Sequence, residues 1–223
     1  MIEENEPLVG AMKRARHASE TREKIIRETR LLMQEHGYDK TTIRMILHRC
    51  GIKNSTLYHF FKNKEDIFNH IVLGIMERVH SQTDHIQSPN PVVGFLREVC
   101  WYYFSILQNK RNAELYLLTF GNHEVVSIIK GKMAGRFSEL VEDGRVDEAE
   151  VPIILQMILG FLQSLAARFL NGEEVEEEVH AVSLCRLTLR LVGANPLEVK
   201  SILNGFDFAQ VKASLPEGSI LST

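Results

Sequence analysis

Between Thr41 and Phe61 the chain carries two short apolar stripes at helical spacing with a glycine between them. Ile43, Ile46, Leu47 and Cys50 fall at i, i+3, i+4 and i+7, so they line one face of a helix of about two turns. Thr42 is placed to cap that helix and Gly51 to end it. Asn54 or Ser55 can cap a second short helix, which turns Leu57 and Phe61 inward and ends near Phe61. Helices this short cannot hold themselves together in water and need a third surface. Thr21–His36 offers one, with Ile25, Ile26, Thr29, Leu32 and Met33 on a single stripe ahead of Gly37. The spacing predicts a helix-turn-helix unit packed on a preceding helix.

The other face of the unit carries the chemistry. Ser55, Thr56, Tyr58 and His59 are left outside on the second short helix, with Lys62 and Lys64 just beyond. From Thr41 to Lys64 there are five basic residues (Arg44, Arg49, Lys53, Lys62 and Lys64) and no acid. The whole chain has a net charge of −3, but residues 1–80 hold 14 Lys and Arg against 11 Asp and Glu. A local cationic block can favour phosphate on an acidic protein. Hydroxyl and imidazole groups reach base edges in a major groove, while lysines and a tyrosine hold the backbone. Asn63, with Glu65 and Asp66 behind it, predicts the start of a further helix to about Ser81.

The rest of the chain reads as helices and offers no convincing strand. Ser88–Pro91 is the clearest break. Apolar helical runs follow at about 92–109, 112–120, 122–143, 151–170 and 174–192, then a short amphipathic piece at Leu197–Leu203. This gives a helix-turn-helix domain over 19–66, with a linking helix to about 81, and a larger helical domain over 88–205. Residues 1–18 and 206–223 are expected as flexible tails, the first with a basic run of Lys13, Arg14, Arg16 and His17. That run suggests at most a minor-groove arm.

The stretches HGYDKTT (36–42), TTIR (41–44) and GIKNSTLYHFFKNKEDI (51–67) resemble the tetracycline-repressor (TetR) family of bacterial regulators. Leu47 and Cys50 stand where that family favours small alanines, which alters packing between the two motif helices. The resemblance implies an all-α chain, with a three-helix DNA-binding domain joined to a helical ligand-binding and dimerisation domain. It implies DNA contacts from Thr42, Arg44, Asn54, Ser55, Thr56, Tyr58, His59 and Lys64, to which Lys62, a cation just beyond the second helix, is added as an expected phosphate contact. It further implies a homodimeric repressor, released from a palindromic double-stranded DNA operator by a small-molecule effector, in the cytoplasm.

Residues 151–167 contain no charge and are apolar nearly all round, so a membrane span is the sharp alternative. Seventeen residues is the lower limit for one, Gln156, Gln163 and Ser164 interrupt it, and Arg168 follows at once. A buried helix shared with a partner subunit fits better, and no membrane is expected. Ile154, Met157, Ile158, Phe161 and Leu165, with Val182, Cys185 and Leu189, are the expected dimer interface. A largely apolar ligand is expected among Trp101, Tyr103, Phe104, Tyr116, Phe120, His123, Phe137, Met157, Phe161 and Arg168.

Three other readings are weighed against this one. An enzyme is disfavoured, since HExxH, GxSxG, Walker and dinucleotide motifs are all missing. An activator of the same fold is left open by the sequence. A helical small-molecule-binding or interaction protein that no longer binds DNA fits poorly with the acid-free stretch. No cofactor is expected. No metal is expected either, Glu176 and His180 at i, i+4 reading more simply as an ion pair. Cys50, Cys100 and Cys185 form no CxxC pair, and residues 1–10 lack the apolar core of an export signal.

Overall fold

The computed structural model, which describes residues 6–84, 90–218 and 220, turns the expected stripes inward. Among the described residues there are twelve α-helices and no strand, divided into two compact units, Met1–Val72 and Leu73–Thr223. The division falls inside a helix, Lys64–Asp84, and not just ahead of Ser88. Residues 85–89, where that break was placed, lie outside the described residues.

The first unit comprises α1 (Glu6–His36), α2 (Ile43–Cys50), α3 (Asn54–Phe60) and the first turns of α4 (Lys64–Asp84). Ile25 and Leu32 of α1, Ile46 and Cys50 of α2, Leu57 of α3, Phe61, and Ile67 of α4 are all buried. Each large apolar side chain buried this way contributes about 1.5–3 kcal/mol over leaving it in water. The two threonines at 41 and 42 divide the turn between them. Thr41 is buried and its hydroxyl donates to the Gly37 carbonyl at 2.8 Å, closing the end of α1. Thr42 caps α2 by accepting from the Met45 N–H at 3.3 Å. Gly51 ends α2 at φ 63°, a left-handed conformation that a side chain would strain, and so allows α3 to start three residues later. Two boundaries differ from expectation. Lys53, and neither Asn54 nor Ser55, precedes α3, with no side-chain cap. And α1 reaches back to Glu6, so residues 6–18 are helical where a tail was expected.

The second unit is built around α5 (Pro91–Gln108), which Asn90 caps by accepting from Val92 N–H at 3.0 Å. This helix buries twelve residues, Tyr103 and Leu96 completely and the polar Glu98 and Ser105 among them. It packs on α6 (Lys110–Gly121), α9 (Val151–Leu170), α10 (Glu177–Leu191) and α12 (Phe208–Ala213). The Cys100 and Cys185 sulfurs meet at 3.0 Å between α5 and α10. Ser105 Oγ and Tyr116 OH lie 2.8 Å apart between α5 and α6, and Tyr103 OH donates to the Glu177 carbonyl at 3.0 Å. The helix expected over 122–143 is broken into α7 (His123–Ala134), a tight turn at Gly135–Phe137 and α8 (Ser138–Glu142). Past α11 (Pro196–Gly205), residues expected as a tail form α12, bury Val211, and bond Ile220 N–H to Asn112 Oδ1 at 3.0 Å.

Candidate nucleic-acid interface

α3 is held from behind and free in front. Leu57 is wholly buried and Phe61, at its end, packs edge-on against His70 of α4 with ring centroids 5.4 Å apart. Arg22 of α1 lies 5.4 Å from the centroid of the same Phe61 ring. What faces outward is Asn54, Ser55, Tyr58 and His59, all exposed, with Thr56 half-buried beside them. Tyr58 has half of its surface in water, an unusual exposure for so large a ring. Thr42, Arg44 and Lys62 are also exposed. One rigid scaffold therefore brings these expected contact residues to the surface.

Two cations of the region are engaged elsewhere. Arg49 donates two hydrogen bonds to the Glu35 carboxylate of α1, at 2.7 and 2.8 Å. That pair holds the Glu35 carboxyl below its ordinary range. Lys64 is half-buried at the start of α4, where its ammonium donates to the Tyr38 carbonyl. The α4 terminus closes reciprocally: Asn63 Oδ1 accepts from Asp66 N–H at 2.8 Å, and Asp66 Oδ2 accepts from Lys62 N–H at 2.9 Å. An acid near the expected phosphate surface is thereby occupied.

Sequence reasoning missed the neighbour of this surface. The N-terminal turns of α1 run beside α3, and an open groove of about 590 Å³ separates them. Its walls are Lys13, Arg14, His17, Ala18 and Thr21 on one side and Ser55, Thr56, His59 and Phe60 on the other. The available signal was side-chain pairing at i, i+4, since Arg16 pairs with Glu20 at 2.9 Å and the Ser19 hydroxyl donates to Glu23 at 3.0 Å.

The second unit sorts its expected site residues differently. Trp101, Tyr103, Phe104, Tyr116 and Phe137 are buried, Phe120 is half-buried, and His123, Met157, Phe161 and Arg168 are exposed. Among them Phe137 packs on Phe95, Tyr116 on Phe120, and Arg168 bonds Glu173 at 2.7 Å. Burial pushes the Tyr103 and Tyr116 phenols well above their usual range, so both stay protonated. Trp101 Nε1 and Thr188 Oγ1 are buried with no hydrogen-bond partner among the described residues.

The expected dimer residues also divide. Ile154, Ile158, Leu165, Cys185 and Leu189 are buried within the chain's own unit and Val182 is half-buried. Only Met157 and Phe161 stand exposed, joined by Ile153 on α9 and by Val179 and Leu187 on α10. The cause is that α9 is apolar nearly all round, with Gln156, Gln163 and Ser164 its only exposed polar residues ahead of Arg168, so its apolar periodicity does not separate its own core face from an outer one. It is also long and apolar enough to cross a membrane by length and composition, though 39% of that stretch is buried inside the fold. No cluster of three or more metal-ligating side chains occurs among the described residues.

Residues 25–71 match the family model of bacterial regulatory proteins of the tetR family. The uncharacterised HTH-type transcriptional regulator YhgD of Bacillus subtilis is 24% identical over 119 residues, 49% of this chain and 61% of that protein. Among solved structures, RolR in complex with resorcinol superposes at a TM-score of 0.65, with 20% identity over 84% of this chain and 95% of RolR. The regulator FadR from Bacillus subtilis, in complex with stearoyl-CoA, gives 0.55, with 19% identity over 77% of this chain and 98% of FadR.

Proposed function

We propose that this chain, which belongs to the tetR family of bacterial regulatory proteins through its N-terminal domain, is a homodimeric repressor released from a palindromic operator by a small molecule. The observation that carries the reading is the outer face of α3. Tyr58, His59 and Ser55 stand exposed on a helix whose inner face is locked by Leu57 and Phe61. Such a helix can enter a major groove without changing shape, because its side chains are already oriented. Arg44 and Lys62 flank it as phosphate contacts. One unit of this size buries little DNA, and two of them set about 34–36 Å apart read a twofold site. The exposed Met157 and Phe161 on α9, with Leu187 on α10, support the pairing of two chains.

The ligand reading rests on the second unit and on its relatives. RolR is known with resorcinol and FadR with stearoyl-CoA, each of which joins an apolar part, a ring or an acyl chain, to polar groups. Here the aromatic core around α5 holds Trp101 Nε1 and Thr188 Oγ1 without partners among the described residues, two groups that a polar end of such a ligand could satisfy. Binding would favour a dimer in which the two α3 helices no longer match successive grooves.

The test is selection of binding sites from random duplex DNA at about 150 mM salt, where purely electrostatic binding is weak. A twofold-symmetric consensus supports the reading. Selection that recovers no site, repeated after unfolding and refolding to strip any carried ligand, overturns it. Quenching of Trp101, the chain's single tryptophan, then reports ligands directly.

A further inference from the structure

We propose that the N-terminal turns of α1 are a second DNA-contacting element, in which Lys13 and Arg14 hold backbone phosphates of the duplex that α3 reads. The inference rests on the proposed DNA-binding function and adds an element to it. Three observations carry it. First, the basic run is helical, since α1 begins at Glu6, so its backbone is already ordered and less chain entropy is lost on contact. Second, Lys13, Arg14 and His17 share a groove with Ser55, Thr56 and His59 of α3, which makes the basic surface continuous with the expected groove reader. Third, the charges are sorted. Glu20 and Glu23 bond to Arg16 and Ser19 and do not line the groove. Lys13 and Arg14 are exposed, and no carboxylate is paired with either among the described residues.

A wall with two cations and no acid, set beside a helix that enters a major groove, lies where the sugar-phosphate strand bordering that groove passes. Phosphate is the acceptor that suits it, the guanidinium offering a fork and the ammonium a point charge. Base edges are read by α3, so the added contacts strengthen binding without changing the preferred sequence.

The experiment uses the full chain and the duplex recovered by selection, with affinity measured from about 0.05 to 0.4 M salt. The Lys13→Gln/Arg14→Gln double variant is compared with the parent, with Lys13→Arg and with Arg16→Gln. At about 0.15 M salt each lost phosphate contact costs about fivefold, and the slope of log affinity against log salt falls by about 0.9 per contact. The double variant is expected to show both losses, with unchanged consensus and unchanged thermal midpoint. Lys13→Arg and Arg16→Gln, the latter altering a residue outside the groove, are expected within about twofold of the parent. Parental affinity and slope in the double variant overturn the inference and leave the α3 reading standing. A shifted consensus also overturns it, since it would mean base readout. A parent that selects no duplex overturns both.

Discussion

The ammonium of Lys64 donates to the Tyr38 carbonyl at 2.9 Å and lies 4.0 Å from the centroid of the Tyr38 ring. A lysine that the family resemblance sends to a phosphate is thus also a clamp on the turn between α1 and α2. The turn carries Thr41 and Thr42, so the clamp helps to fix where α2 begins. Lys64→Met should cost about 1 kcal/mol of stability, combining a charged hydrogen bond with a cation–ring contact at a half-buried site. Urea unfolding of the two proteins measures it, and equal midpoints would leave Lys64 without a structural role.

Tyr58 presents the opposite case, since it stands half in water with its neighbours Leu57 and Phe61 holding the helix. Tyr58→Ala should leave the unfolding midpoint within about 0.5 kcal/mol of the parent and weaken binding to every duplex. Thr56→Ala and His59→Ala should instead alter the selected consensus at single positions, worth about 1–3 kcal/mol of discrimination each. Competition binding against substituted duplexes separates the two patterns. Uniform weakening by all three variants would mean that α3 is misplaced in the groove.

How far these features could be read from the sequence depends on whether a pattern has two sides. α2 is apolar on one face and polar on the other, and a cap and a glycine bound it, so Thr42, Ile46, Cys50 and Gly51 were legible one by one. Ahead of Arg168, α9 marks its outer face only with Gln156, Gln163 and Ser164, too narrow a strip to exclude Ile154, Ile158 and Leu165 from an interface, and these three belong to the core. The start of α1 failed for a different reason. Residues 13–20 lack an apolar stripe, and their helix rests on side-chain pairs and on continuity with Ile25 and Leu32. The aromatic residues near α5 were legible as a group, but which of them pack on each other is set by partners as distant in sequence as Phe208.

Protonation of His70 offers a test of how tightly the first unit is closed. Burial, aided by Arg22, holds its imidazole below the ordinary value of 6.5, with Asp66 opposing in part. The unfolded chain then binds a proton more readily than the folded one. Stability is fully present above about pH 6.5 and declines as pH falls towards the folded-state value. The parent should lose more of its urea midpoint between pH 7 and pH 5.5 than His70→Gln does. Identical losses would mean that His70 titrates as freely folded as unfolded.

Gly193 follows α10 at φ 76°, and a Cβ built there would lie 2.5 Å from the carbonyl oxygen of Arg145. Gly51 has a similar φ of 63° with nothing within 4 Å. The two glycines separate backbone strain from collision. Gly51→Ala should cost about 1–2 kcal/mol from strain alone. Gly193→Ala should cost more, about 3 kcal/mol or above, because the obstacle is backbone and cannot swing away. Thermal unfolding ranks the two, and equal costs would show that the Arg145 segment yields freely.

Met157 and Phe161 are one helical turn apart on α9, exposed by 54% and 38%, while Ile158 between them is 3% exposed. That contrast turns the proposed dimer into a decision between two kinds of failure. Met157→Glu and Phe161→Glu place a charge on the outer face, where a monomer tolerates it and an apolar interface does not. Ile158→Glu places the same charge in the chain's own core, where an unpaired carboxylate costs several kcal/mol and unfolds the unit. Light scattering coupled to size exclusion should give a parent of twice the chain mass and folded monomers for the first two variants. Helical circular dichroism should be lost only for the third. Parental mass in both surface variants would move the interface away from α9, and operator affinity measured alongside should fall with the dimer, since one α3 reads only half of a twofold site.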